Sequence, residues 1–375
     1  MSDNVIFYFE VHQPKRLKIY RLNSINDKDD YFWHEKNREI FLRVADESYI
    51  KTTRILMENN INASFSISGT LMEQALEYNP KVIDAFSDYF RSGLGELIGE
   101  TYYHSLASIF DKKEFIYQIN EHKKLMKKIF NIEPKTFRNT ELIYNDDISE
   151  TVSSLGYKNI ITEGTDSIIN NYNPNYLYKS ISGLNLLLRN YRLSDDISFR
   201  FSDHGWSEFP LTADKYASWI KRTPGDVINL FMDYETFGEH QRESTGIFEF
   251  LKYLPIEFRK NDIGFVKIDE ASKFDNHGTV SVKDTISWAD TDRNLNPWLG
   301  NQMQKEAFDK LVSLKDNKNK KLWRYLQTSD NLYYLSTGNP GDQEVHNYFN
   351  PYKTPYNACL LYMNILDDFD YNYHK

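Results

Sequence analysis

Cysteine occurs once in 375 residues, at Cys359, so no internal disulfide can form. The thiol sits in the apolar stretch Ala358-Cys359-Leu360-Leu361, which reads as a buried helix, so a structural role outweighs a nucleophilic one. A chain without disulfides fits a reducing compartment, and a cytoplasmic protein is expected. Basic charge is in deficit: 45 Lys and Arg against 54 Asp and Glu leave a net charge of −9. A phosphate-binding surface needs clustered cations, so nucleic acid is not expected as the main partner, whereas neutral sugars remain compatible. No window approaches the ~20 apolar residues that span a bilayer, and the start Met1-Ser2-Asp3-Asn4 has no basic segment ahead of its short apolar run, so neither a membrane partner nor a signal peptide is expected. Gly-x-Ser-x-Gly elbows and Gly-rich phosphate loops are missing too, which argues against a serine hydrolase or a nucleotide-binding enzyme.

What the chain does have is a recurrence of short apolar runs. Val5–Val11, Ala63–Ile67, Glu96–Ile98, Thr136–Arg138, Asn159–Thr162, Leu184–Leu188 and Val227–Met232 read as strands, with Phe265–Ile268 a possible eighth. Segments with helical spacing lie between them, among them Phe41–Asn59, Lys112–Phe130 and Asp146–Leu155, the last opening on aspartates and stopping before Gly156. Strands that alternate with helices imply parallel pairing, because parallel strands need long crossovers. Seven or eight such units predict an α/β fold with a closed or nearly closed barrel over residues 1–285. Beyond that point the strands stop. Gln302–Lys315, Lys320–Ser329 and Pro355–Leu366 read as helices, so residues 286–375 are expected to form a C-terminal helical domain, broken at Gly338-Asn339-Pro340-Gly341.

In parallel α/β barrels, chemistry gathers where strands end. Here His12-Gln13-Pro14 follows the first run, Gly99-Glu100-Thr101-Tyr102-Tyr103-His104 the third, Asn139-Thr140-Glu141 the fourth, and Asp233-Tyr234-Glu235-Thr236-Phe237-Gly238-Glu239-His240 the seventh. Glycoside cleavage needs two carboxyl groups flanking the scissile bond, one of them protonated at working pH. Glu141 and Asp233 end different strands and can face across one mouth. Arg138, three residues before Glu141, is expected on the opposite side of the pleat unless the strand has already ended. Glu235, two residues beyond Asp233, would help keep Asp233 protonated. Taken singly, each of these residues reads more simply as a cap, an ion-pair partner or a core histidine. Jointly they end strands of one sheet. His12, His104 and His240 with nearby carboxylates could ligate zinc, but no His-x-x-x-His or Cys-x-x-Cys spacing exists, so no metal or other cofactor is expected.

The ordered set resembles glycoside hydrolase family 57, in particular its α-amylase group. The matching regions are His12-Gln13-Pro14; Gly95-Glu96-Leu97-Ile98-Gly99 running on to His104-Ser105-Leu106-Ala107; Phe137-Arg138-Asn139-Thr140-Glu141; Met232 through His240; and Leu326-Gln327-Thr328-Ser329-Asp330-Asn331-Leu332-Tyr333-Tyr334. The resemblance implies a (β/α)7 barrel followed by a helical bundle, and a retaining mechanism on α-glucosidic bonds of α-glucans or maltooligosaccharides. It implies Glu141 as nucleophile and Asp233 as general acid/base. It also implies sugar contacts from His12, Glu96, Glu235 and Asp330, an aromatic platform at Tyr333, and lesser parts for His104 and Trp206. Asp330 and Tyr333 belong to the helical region, which should therefore complete the site. Retention predicts carboxyl groups ~5–5.5 Å apart. Hydrolysis and transfer stay open, so 4-α-glucanotransferase and branching activities are alternatives. A metal-dependent polysaccharide deacetylase and a non-catalytic glucan-binding protein are the readings outside the class.

Overall fold

The structure is a computed structural model that describes residues 2–20, 30–169, 171–338, 346 and 348–373. Ten strands are found among them, in chain order: β1 (Asn4–Val11), β2 (Ala63–Ile67), β3 (Gly95–Ile98), β4 (Thr136–Arg138), β5 (Asn159–Glu163), β6 (Leu177–Ser180), β7 (Asn185–Arg189), β8 (Ile228–Asp233), β9 (Gly264–Val266) and β10 (Asn276–Val280). They form two five-stranded sheets. One has the order β3-β2-β1-β8 with β9 also paired to β1; the other has the order β10-β6-β7-β5-β4. All pairings are parallel except β6 with β7.

The seven long-crossover strands were anticipated; β6 and β10 were not. Leu177–Ser180 is an antiparallel hairpin partner of β7, joined through Gly183 at φ 85°, and Asn276–Val280 is mostly exposed, so neither has the apolar run that marks a buried parallel strand. The ladders do not close into the expected barrel. The two sheets meet instead at one bridge, where Gly99 pairs with Phe137, and at one backbone hydrogen bond, Asn190 N–H to the Asn229 carbonyl at 2.9 Å.

Side-chain parity nevertheless encloses an interior. Val5, Phe7, Phe9 and Val11 of β1 pack outward against helices, while Ile6 and Tyr8 point inward with Ile98, Ile161, Leu187 and Phe231 from five strands in all. The Tyr8 and Phe231 rings meet edge to face at 5.4 Å. The next inward residue along each strand, towards its C-terminal end, is charged: Glu10 on β1, Arg138 on β4, Glu163 on β5, Arg189 on β7 and Asp233 on β8. An ionisable layer thus caps the interior at the strands' C-terminal ends.

The C-terminal helices, among them Gln302–Ser313, Lys320–Leu326 and Pro355–Tyr373, do not have a core of their own. Trp298, Trp323, Leu326, Ile365 and Phe369 share one apolar cluster with Phe137, Ile160 and Leu186 of the second sheet. Asn339-Pro340-Gly341 of the anticipated break lie outside the described residues. The helix expected over Phe41–Asn59 is continuous from His34 to Glu58 but carries a wide turn at Ala45–Tyr49. That extra residue per turn redirects Ser48 and Tyr49 towards the segment after β8.

Candidate active site

Strand β4 ends at Arg138, and the chain then makes a tight turn at Thr140–Leu142. Glu141 (φ 57°) and Leu142 (φ 50°) both lie in the left-handed region. For non-glycine residues that costs about 1–2 kcal/mol each, so the surroundings must hold the turn. They do: the Trp288 N–H bonds to the Glu141 carbonyl at 3.1 Å, and Ile286 pairs with Tyr144. The turn brings Glu141 to the same side as Arg138, the case expected if the strand has already ended. Arg138 faces inward, fully buried, and the pleat ends before Glu141.

Three donors converge on the Glu141 carboxylate. Trp288 Nε1–H donates to Oε2 at 2.8 Å, Ser329 Oγ–H to Oε1 at 3.0 Å, and His104 Nε2 lies 3.3 Å from Oε1. Burial alone would raise this carboxyl. The hydrogen bond from His104 and its charge, the Arg138 guanidinium and the Trp288 N–H outweigh burial and hold Glu141 below its ordinary range.

Asp233 ends β8 directly opposite Glu10 of β1 in the parallel register. Burial, and then the Glu141 charge, lift its carboxyl to about 6, against the pull of Arg138, Arg189 and His104. After burial, the Glu141 charge is the largest influence raising Asp233, and the Asp233 charge in turn acts on Glu235. Glu235 turns to accept a hydrogen bond from Tyr49, and burial with the Asp233 charge pushes it up to about 8.

Of this layer Glu163 and Arg189, paired with each other at 2.8 Å, were not anticipated, and neither were Glu10 and Arg138 as site residues. The Arg138 guanidinium donates to Glu10 Oε2, and Glu10 Oε1 also lies 3.1 Å from His104 Nε2. His104, a lesser candidate in sequence, is the hub: it touches Glu10, Glu100 and Glu141, and its ring stacks on His12 at 3.9 Å. Four carboxyls, Glu10 and Glu100 buried and Glu141 and Asp233 half-buried, thus surround two cationic side chains, His104 and Arg138. Glu100 and Glu141 are held low by His104 against burial, while Glu10 and Asp233 are pushed up, chiefly by burial.

His12 bonds Ser68 Oγ through Nδ1 at 2.7 Å and Asp330 Oδ2 through Nε2 at 3.1 Å, tying the helical region to the end of β1. Burial would raise Asp330, but the His12 charge and hydrogen bond bring it down to about 2. Two anticipated residues, Glu96 and Trp206, lie away from this group. Glu96 sits one inward step lower on β3, where Ser64, Thr136 and the Asp269 N–H take up its oxygens. Trp206 packs beside Trp219 and Arg200 on the outer face; the tryptophan that reaches Glu141 is Trp288. Tyr333 stacks on His346 at 4.2 Å, and His346 pairs with Asp290 at 2.9 Å. His240 lies in an aromatic corner with Tyr348 and Phe349. Among the described residues, no group of three or more His, Cys, Asp or Glu is placed to hold a metal ion, and no helix is long and apolar enough to cross a membrane. Trp288 could have been found only through contact, since it is one ordinary residue in a loop, whereas Ser329 stands in one of the matching regions without a role assigned to it.

Residues 6–286 match the model of the family described as Glycosyl hydrolase family 57. A Methanocaldococcus jannaschii protein, whose name assigns it provisionally to the alpha-amylases, is 47% identical over 98% of this chain and 84% of its own length. A GH57-type branching enzyme from Pyrococcus horikoshii superposes with a TM-score of 0.67 at 14% identity, over 93% of this chain and 88% of that one. A 4-alpha-glucanotransferase from Thermococcus litoralis superposes with a TM-score of 0.62 at 17% identity; the match covers 92% of this chain but about half, 54%, of that longer one. At such identities the superpositions speak to the fold alone.

Proposed function

The chain belongs to glycosyl hydrolase family 57, and from that premise we propose that this glycoside hydrolase cleaves or transfers α-glucosidic bonds in α-glucans or maltooligosaccharides with retention. Glu141 is the nucleophile and Asp233 the general acid/base. The observation that carries the reading is the convergence of the Trp288, Ser329 and His104 donors on Glu141 behind β4, with Asp233 at the end of β8 within reach of its charge, an arrangement that holds Glu141 low and lifts Asp233 to about 6. That is the division of labour a double displacement needs. Asp233 protonates the glycosidic oxygen while Glu141 attacks the anomeric carbon. Asp233 then takes a proton from water or from a sugar hydroxyl, which attacks the glucosyl-enzyme and restores the α-configuration.

Further parts of the reading rest on the same layer. The two sheets act as one seven-stranded (β/α)7 ring around the interior of β1, β2, β3, β4, β5, β7 and β8, supported by the Gly99 bridge and the Asn190–Asn229 hydrogen bond. The helical region over 286–375 completes the site, supported by the reach of Ser329 to Glu141 and of Asp330 to His12. His12, Asp330 and Glu235 bind the sugar beside the cleaved bond. A single thiol and no disulfide suit a cytoplasmic setting.

The test is a product profile on maltotriose with the anomer assigned at first turnover. Newly formed α-anomer is expected, and β-anomer would overturn retention. Longer oligosaccharides would assign the chain to transfer, glucose and maltose alone to hydrolysis. Glu141→Ala should lose several orders of magnitude in rate and recover in part with azide.

A further inference from the structure

We propose that Glu100, which no motif assigns to the chemistry, is a positioning residue: through His104 it sets the ionisation and aim of the Glu141 carboxylate. The proposal rests on Glu141 being the nucleophile. Glu100 is the first residue after the Gly99 bridge that joins the two sheets, and it is 0% exposed. Its Oε2 lies 3.3 Å from His104 Nδ1. Among the described residues its other oxygen, Oε1, has no hydrogen bond. A buried carboxylate with one hydrogen-bonded partner is costly, and an apolar side chain of the same volume would serve packing better.

The nearby His122 cannot supply the missing charge. Its Nδ1 accepts from the Glu100 N–H at 3.4 Å, and its Nε2 donates to the Ile67 carbonyl at 2.9 Å. Those two bonds fix one neutral tautomer. The cation facing Glu100 is therefore His104. Its geometry agrees, because both ring nitrogens look at carboxylate oxygens: Nδ1 at Glu100, and Nε2 at Glu141 (3.3 Å) and Glu10 (3.1 Å). A ring with acceptors at both ends carries both protons. The backbone of His104 is itself in the left-handed region, φ 50°, which aims the ring across the layer.

Glu100 thus holds His104 as imidazolium, and the imidazolium holds Glu141 ionised and oriented by one oxygen. His104 is faced by Glu10 from β1, by Glu141 behind β4, by Glu100 on its own loop and by the His12 ring, with Arg138, Asp233 and Asp330 within electrostatic reach. Glu100 is faced by His104, His122, Arg138 and the Tyr8 phenol. Replacing Glu100 by Gln keeps an acceptor for Nδ1 and removes only the charge. His104 should then release its Nε2 proton at lower pH, and the Glu141 carboxyl should rise.

The test compares wild type with Glu100→Gln on a p-nitrophenyl α-maltooligoside. The acidic limb of kcat/KM should move up by about half a pH unit or more, and kcat should fall about tenfold, with the thermal midpoint little changed. Glu100→Gln placed on His104→Gln should add nothing further. In wild type the 15N shifts of His104 should be those of an imidazolium at pH 6. A folded Glu100→Gln enzyme with an unmoved acidic limb, losses that add in full to those of His104→Gln, or a neutral His104 in wild type would each overturn the proposal; the last can be read even if the variant does not fold. Failure of the nucleophile assignment shows separately, as a Glu141→Ala enzyme that keeps its rate.

Discussion

Removing one donor from Glu141 should move its titration by an amount the contacts set. In Trp288→Phe the Nε1–H donor, 2.8 Å from Oε2, is lost, while a ring remains under the guanidinium groups of Arg138 and Arg189, now 5.1 and 5.7 Å from the Trp288 ring centre. A hydrogen bond to a charged group contributes about 1.5–3 kcal/mol. Ser329 and His104 still serve Oε1, and the Glu141 side chain is 19% exposed, so water can partly replace the donor. The lower end applies, about 1.5 kcal/mol, which is about one pKa unit. The donor favours the ionised form, so its loss raises the Glu141 carboxyl. The acidic limb of kcat/KM should shift upward by about one unit, and the rate at the optimum should fall about tenfold through lost orientation. The assay is initial rate on an activated aryl maltooligoside across the acidic and neutral range. An acidic limb that stays put, or moves to lower pH, refutes the account of how Glu141 is kept ionised.

Because Asp233 is lifted to about 6, activity towards natural oligosaccharides should decline as pH rises through that value, where the acid loses its proton. Asp233→Asn should abolish that basic limb and retain turnover only on substrates whose leaving group needs no proton; an intact basic limb in this variant would remove Asp233 from the role. At the sheet junction, a Cβ on Gly99 would sit 2.4 Å from the Tyr157 hydroxyl. Gly99→Ala should therefore destabilise the fold by about 1–3 kcal/mol, seen as a lower thermal midpoint, and an unchanged midpoint would mean that the junction yields freely.

The period of the apolar runs determined most of the scaffold by itself. Val5–Val11 and Val227–Met232 can only be buried on both faces, and two-residue parity then dictates that Glu10 and Asp233 share the inward side with Tyr8 and Phe231. The motifs at strand ends likewise marked Glu141, Asp233 and His12, and the family resemblance marked Asp330. What only the tertiary structure decided lies where periodicity stops. The left-handed turn at Glu141 reverses its side relative to Arg138, and no spacing rule reads a single positive φ. Glu96 and Glu10 are alike in sequence as acidic residues on inward strand positions, yet Ser64, Thr136 and the Asp269 amide surround one, and Arg138 with His104 surround the other. Trp288 and Ser329 reach Glu141 across 147 and 188 residues of chain. Such convergence is set by how helices and loops close over the sheets, a many-body packing outcome that local pattern does not encode.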